Sequence, residues 1–191
     1  MTTKLTKLLQ SGLTVFTLND LGIIWGQKDR SATRQSARDY ASRGNIVRLH
    51  QGVYALPGVW PDDFKLANKL LAPSYVTGQS ILAAAGLSYQ YTDTVFSVAL
   101  YNRSFQVQAK TFAYSQVKAT VLYNTLGLTT ASGASQASPE RAITDLVYLS
   151  KGRFSFEPLS NINWELLANC AQIYENAWVV KAAATLRGQY A

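Results

Sequence analysis

The residues best suited to chemistry are basic and polar side chains near the N-terminus. Arg34 and Arg38 lie one helical turn apart in the stretch RSATRQSARDYASR. On a helical wheel they share one side with Arg30, whereas Thr33 and Ala37 lie on the other, which predicts a basic face and a core face. A guanidinium group can donate two hydrogen bonds at once to a guanine edge or a phosphate. The helix is therefore a candidate for contact with nucleic acid.

The next segment, NIVRLHQGVYALPG, alternates in the way of a β-hairpin. Gln51 and Gly52 are predicted to form a two-residue turn, for which Gly52 supplies a positive φ. The alternation assigns the inner side of the ribbon to two pairs, Leu49 opposite Tyr54 and Val47 opposite Leu56. These four residues are enough to explain why the segment folds back on itself.

The tip of this hairpin carries polar residues that folding does not require. Arg48, placed opposite Ala55 in this register, can clamp a phosphate or enter the minor groove, and His50 and Gln51 can donate hydrogen bonds. A polar, exposed turn is the alternative interpretation. The candidate nucleic-acid-binding residues are Lys28, Arg30, Ser31, Arg34, Gln35, Arg38, Arg48, His50 and Gln51.

Residues that could support catalysis are few. His50 is the only histidine and Cys170 the only cysteine, and no GxxxxGK[ST] phosphate loop occurs. Cys170 lies in an apolar helical context that predicts a buried structural residue. We therefore expect no metal, no cofactor and no enzymatic activity. A metal-dependent nuclease using Glu140 and Asp145 remains an alternative, although five positions place them about 140° apart around a helix.

The charge is concentrated in the first third of the chain. Of the net charge of +7, residues 1–58 hold +5, from eight basic and three acidic side chains. The remaining residues hold ten basic and eight acidic side chains, a net +2. The first segment is thus where a polyanion would bind. No apolar run approaches the roughly 20 residues of a membrane span, and the N-terminus does not resemble a signal peptide, so we expect a cytoplasmic protein without membrane association.

Three short helices precede the hairpin. The first contains Leu5 and Leu8, and the second is capped by Thr17 and Asp20 and ends at Gly26. The third is predicted over residues 31–43. Three helices followed by a two-stranded ribbon is the element order of a winged helix-turn-helix, which we assign to residues 1–58.

Residues 59–191 predict an α+β domain with helices on an antiparallel sheet. The stretch PSYVTGQSILAAAGLS is interpreted as one helix with Ile81, Leu82 and Ala85 facing inward. Strands are predicted at 95–101 and 105–110, joined by a turn, and at 119–123. The stretch GLTTASGASQAS is interpreted as a loop or edge segment. Ser138 and Pro139 open a helix, and two more helices follow residue 161.

Four pieces of the sequence, in this order, resemble the AbiEi-type antitoxins, transcriptional regulators of bacterial abortive-infection toxin–antitoxin systems. They are FTLNDL, RLHQGVYALPG, PSYVTGQSILAAAGL and ASPERAITDL, and the resemblance spans about residue 15 to residue 150.

The resemblance implies an N-terminal winged helix that binds inverted repeats in its own promoter, an arrangement compatible with a dimer on DNA. It also implies a C-terminal domain needed for antitoxicity and a neighbouring nucleotidyltransferase-like toxin as functional partner. Antitoxins of this class are thought not to need a stable complex with the toxin. The alternative is a protein-interaction module that neutralises the toxin by direct contact.

Overall fold

The computed structural model describes residues 3–89, 92–131 and 133–190. The chain forms two compact units that divide between Leu70 and Leu71. The sequence placed this division after Gly58. It lies later in the structure because a helix at Asp63–Leu70 packs against a strand of the first unit.

The first unit combines short helices with a small antiparallel sheet. In chain order its elements are α1 (Lys4–Gln10), β1 (Val15–Thr17), α2 (Leu18–Trp25), α3 (Arg30–Ser42), β2 (Val47–His50), β3 (Val53–Ala55) and α4 (Asp63–Leu70). The strand order is β1-β3-β2. The three helices predicted before the hairpin are therefore confirmed, whereas β1 was not predicted.

Local sequence signals set the ends of α2 and α3. Thr17 and Asp20 form the predicted capping box, and Gly26 ends α2 in the left-handed conformation with φ 68°. Asp29 caps α3 by accepting hydrogen bonds from the amides of Ser31 and Ala32. Capping of this kind satisfies amides that have no partner within the helix.

The core of the first unit lies between its helices and its sheet. Leu8, Phe16, Leu21, Ala37 and Ile46 are fully buried or nearly so. Each of α1, α2 and α3 contributes a residue to this cluster. The predicted inward face of α3 is confirmed by the burial of Ala37, and burying these apolar side chains holds the three helices together.

The predicted register of the hairpin is wrong by one residue over most of its length. His50 pairs with Val53 as predicted, but an irregularity between Arg48 and His50 places Arg48 opposite Tyr54. A bulge of this kind adds one residue to one strand and shifts every pair beyond it. Val47, predicted to face inward, is consequently 42% exposed.

The second unit is larger and contains a six-stranded sheet. Its elements are β4 (Ser74–Val76), α5 (Gln79–Ala84), β5 (Thr94–Ala99), β6 (Arg103–Val107), β7 (Lys110–Gln116), α6 (Ala119–Leu122), β8 (Leu128–Ala131), β9 (Ala134–Ala137), α7 (Pro139–Ser150), α8 (Trp164–Gln172) and α9 (Ala177–Tyr190). The strand order is β6-β7-β5-β4-β9-β8. The α+β class is confirmed. The segment interpreted as a loop or edge forms two strands: β8 lies at the edge of the sheet, whereas β9 pairs with β4 on one side and β8 on the other.

The sheet is mixed, whereas the sequence predicted an antiparallel one. β5 pairs with β7 and β4 pairs with β9 in parallel, and the other pairs are antiparallel. The predicted hairpin between β5 and β6 does not form. The hairpin joins β6 to β7 instead, through a turn in which Gln108 has φ 53°.

Two further elements differ from the prediction. Residues 119–122 form the short helix α6 rather than a strand, because a short apolar run fits either element. The stretch predicted as one helix before Gly86 begins as β4, and α5 starts only after Gly78. Ile81 and Leu82 are buried as predicted, but Ala85, which follows the last residue of α5, is exposed.

Candidate nucleic-acid interface

The predicted basic face of α3 is exposed. Arg30, Arg34 and Arg38 follow one another at intervals of one turn, and all three are exposed. Thr33 and Ala37, on the opposite side of the helix, are buried. Because Thr33 and Ala37 are buried in the core of the first unit, the arginines on the opposite side of α3 face the solvent.

The hairpin and α3 face the same concave surface. The surface has a volume of about 340 Å³, and Arg48 and Gln51 line it together with the three arginines of α3. Its remaining lining residues are Leu18, Gly52 and Tyr54. We call it the arginine cleft. Five of the nine residues predicted from the sequence thus meet in one place.

The tip of the hairpin is fixed in position by contacts with α2. The amide of Leu18 donates a hydrogen bond of 3.0 Å to the carbonyl oxygen of Gly52. Gly52 has φ 76°, and a Cβ atom there would lie 3.7 Å from Cδ1 of Leu18. Within the tip, Nε of Arg48 lies 3.4 Å from the carbonyl oxygen of His50. These contacts hold Arg48 and Gln51 at a set distance from α3.

Lys28 lies on the other side of the start of α3. It lines a second concave surface of about 500 Å³ with Arg30, Asn19, Ile23 and Gln27. Ile23 is 72% exposed there. Arg30 lines both concave surfaces, so the N-terminal end of α3 lies between them.

Besides Lys28, three more of the predicted residues do not line the arginine cleft. Ser31 is exposed in the first turn of α3. Gln35 donates a hydrogen bond of 2.9 Å to Asp39, the acidic residue of α3. His50 is half-buried at the end of β2.

The arginine cleft is strongly positive because its cations are not neutralised locally. Within the described part of the chain, none of its four arginines forms an ion pair with a carboxylate. The neighbouring acid Asp29 caps α3 and is engaged by two amides. Uncompensated arginines on a concave surface attract polyanions.

A set of hydrogen bonds that the sequence did not predict joins α1, α2 and α3 and orients α3. Nζ of Lys4 lies 2.6 Å from Oγ of Ser36, and Nε2 of Gln27 donates to the same oxygen over 3.1 Å. The indole of Trp25 donates to the carbonyl oxygen of Lys4 over 3.2 Å. These residues are far apart in sequence, so no spacing pattern could reveal the contact.

The acidic residues considered for catalysis are buried in the second unit. Asp145 is inaccessible and accepts hydrogen bonds from Arg141, Thr77, Tyr75 and Tyr174. Burial raises the pKa of Tyr75, and the charge of Asp145 raises it further, so the tyrosine is a neutral donor. Asp145 is therefore the common acceptor of a buried hydrogen-bond cluster.

Glu140 and Cys170 are also buried. A carboxylate oxygen of Glu140 accepts a hydrogen bond of 3.1 Å from the amide of Asn163. Burial raises the pKa of the Cys170 thiol to about 11, which keeps it protonated and unreactive at neutral pH. The predicted burial of Cys170 is confirmed. Among residues 3–89, 92–131 and 133–190, no group of three or more His, Cys, Asp or Glu could hold a metal ion.

The described ranges include no helix that combines the length and the apolar character of a membrane span. Comparison of the chain with models of protein families and with curated proteins finds no match.

Proposed function

We propose that the first unit is a winged helix-turn-helix that binds double-stranded DNA. The order of its elements supports this assignment: three helices are followed by a hairpin, and β1 completes the sheet in the order β1-β3-β2. In this arrangement α3 enters the major groove. The hairpin is the wing, and it lies along the adjoining backbone.

The observation that carries the proposal is the arginine cleft. Arg34 and Arg38 reach base edges or phosphates from α3, while Arg48 and Gln51 contact the backbone from the wing. Neutralised phosphates release condensed counterions, and this release supplies most of the affinity. Contacts of α3 with base edges add the preference for one sequence.

We further propose that the protein is a transcriptional autorepressor acting as the antitoxin of an abortive-infection operon in the cytoplasm. This step rests on the resemblance to AbiEi-type antitoxins in the four sequence pieces between residues 15 and 150. Its DNA target is a pair of inverted repeats upstream of its own gene, and its functional partner is a nucleotidyltransferase-like toxin. The second unit serves the antitoxin role.

A gel-shift assay with the DNA upstream of the gene tests the proposal. Replacing Arg34 and Arg38 by alanine should weaken binding at least about tenfold, because each lost base or phosphate contact costs about 1–3 kcal/mol. A reporter placed behind the same promoter should lose repression in parallel.

The matched control replaces Arg103 and Arg187, two exposed arginines of the second unit, by alanine. It removes the same charge from the chain but leaves the arginine cleft intact. Binding should then change by less than about twofold, which is under 0.5 kcal/mol. Equal losses in the two double variants, or no loss in either, would show that α3 does not contact DNA.

A further inference from the structure

Three concave surfaces of the second unit share lining residues of α7 and α9. Their volumes are about 400, 570 and 470 Å³. The first and second share Trp178, and the second and third share Tyr148 and Leu149. We call their combined surface the aromatic groove. It belongs to the second unit and contains none of the residues of the arginine cleft.

Trp178 is the exposed aromatic residue at the centre of this groove. The residue is 42% exposed. The ring lies over Gly152, where a Cβ atom would come within 2.8 Å of Cζ2. The indole therefore packs over a residue without a side chain, and any larger residue at position 152 would displace it.

The wall beside Trp178 is apolar. Phe154 and Phe156 line it together with Val147 and Leu186, and the two phenylalanine rings pack edge to face with centroids 4.9 Å apart. Both phenylalanines are half-buried. A concavity with such walls fits an aliphatic or aromatic side chain inserted from a partner, as in the centres of protein interfaces.

The charges along the groove have one sign. Lys118, Lys151 and Lys181 line its three parts, and all three are exposed. Among the described residues, no acidic side chain lines any of the three surfaces. Glu175 is exposed nearby in the chain but does not line them, and Glu157 accepts a hydrogen bond from the amide of Tyr89. Charge complementarity therefore favours an acidic ligand.

We propose that the aromatic groove binds a segment of a partner protein in which an apolar anchor side chain is flanked by carboxylates. The anchor enters the concavity between Trp178 and the phenylalanine pair, and the carboxylates approach Lys151 and Lys181. Single-stranded nucleic acid fits less well, because bases stack on exposed ring faces and the two phenylalanines pack against each other.

A displayed library of random peptides tests this proposal against the full chain. The bait carries Arg34→Ala, Arg38→Ala and Arg48→Ala, so that the arginine cleft contributes little to the capture of acidic peptides. The selected peptides should combine aspartate or glutamate with a bulky apolar residue. Their affinity, measured by fluorescence anisotropy, should fall at least about tenfold with Trp178→Ala and with Lys181→Glu.

The matched control is Arg187→Glu, an equal charge reversal on the same helix outside the groove. It should change the affinity less than about twofold. Circular dichroism checks the fold of each variant, and if Trp178→Ala does not fold, the comparison of Lys181→Glu with Arg187→Glu decides. The proposal is overturned if no peptides are selected, if they lack carboxylates, or if the two charge reversals act equally. Binding of oligo-dT that depends on Trp178 and Lys181, without peptide binding, would assign the groove to nucleic acid instead.

Discussion

At the scale of single residues, the most consequential contact in the second unit is between Arg141 and Asp145. Both side chains are inaccessible, and Nε of Arg141 lies 3.2 Å from the carboxylate. The guanidinium also donates to the carbonyl oxygens of Leu126 and Val121. The arginine thus joins α7 to the segment around α6, and its removal would leave both a buried carboxylate and two carbonyls short of donors.

We predict that Arg141→Ala destabilises the protein by about 3–5 kcal/mol, because it leaves an uncompensated buried charge. Urea unfolding followed by circular dichroism measures the free energy. Replacing Arg141 by Met and Asp145 by Leu together removes both buried charges but still leaves the carbonyls of Leu126 and Val121 without their donor. It also leaves the hydroxyls that Asp145 now accepts from without an acceptor, so this double variant should recover only part of the loss. The exposed Arg103→Ala serves as control and should cost less than about 0.5 kcal/mol. A similar loss in Arg103→Ala would contradict the assignment.

At the scale of elements, the start of α2 is joined to α4 by a carboxylate. Asp20 accepts hydrogen bonds from the amide and hydroxyl of Thr17 and forms an ion pair of 2.8 Å with Lys69. Burial raises the pKa of Asp20, but the hydrogen bonds from Lys69 and Thr17 outweigh it and hold the pKa below its ordinary value of 3.8. Through Lys69, α4 thus becomes part of the first unit.

This contact makes the stability of the first unit sensitive to acid. Because the folded-state pKa of Asp20 is lowered, its contribution is present above the unfolded-state value and is lost as pH falls through the folded-state value. Lys69→Met removes an interaction that lowers the folded-state pKa of Asp20, so that value moves closer to the unfolded-state value. The variant should therefore lose less stability on acidification than the wild type, and the loss should be complete at a higher pH. Thermal unfolding followed by circular dichroism over a range of acidic pH measures the effect.

Asp39→Asn, which changes an exposed carboxylate of α3 in the same unit, is the control for this prediction. It should leave the acid profile of the wild type unchanged. Asp20→Asn should lower stability at neutral pH and remove the part of the acid loss that Asp20 contributes. An identical acid profile in wild type, Lys69→Met and Asp20→Asn would show that the carboxylate does not hold α4 on the first unit.

At the scale of the whole molecule, the features that could be predicted from the sequence are those fixed by the spacing of residues close together in the chain. Thr17 and Asp20 lie three positions apart, and a capping box depends on that spacing alone. The charge of α3 could be predicted for the same reason, since the intervals between its arginines fix one face of the helix. Both predictions needed no knowledge of the rest of the chain.

The parts that the sequence did not predict depend on contacts between distant residues. β1 has only three residues and exists because it pairs with β3, about 40 residues later. Arg141 and Asp145 have the spacing of an ordinary surface pair on a helix, and their burial follows from Tyr75 and Tyr174, which reach them from other elements. The bulge that places Arg48 opposite Tyr54 had no sequence signal.

We propose that DNA is bound by a cationic surface in the first unit rather than by the overall positive charge of the protein. The salt dependence of binding separates these two explanations. A protein that neutralises phosphates shows an affinity that falls with salt, with a slope of about 0.9 per phosphate contact in a double-logarithmic plot. Two triple variants with the same net charge can therefore be compared directly.

The measurement is the slope for binding to the upstream promoter DNA by fluorescence anisotropy. One variant replaces Arg34, Arg38 and Arg48 by alanine, and the other replaces the exposed Arg103, Arg153 and Arg187. We predict that the first variant lowers the slope by about 2–3 and loses its preference for the promoter sequence. The second variant should keep that preference, and its slope should change by less than about one. Equal slopes and affinities in the two variants would contradict the account.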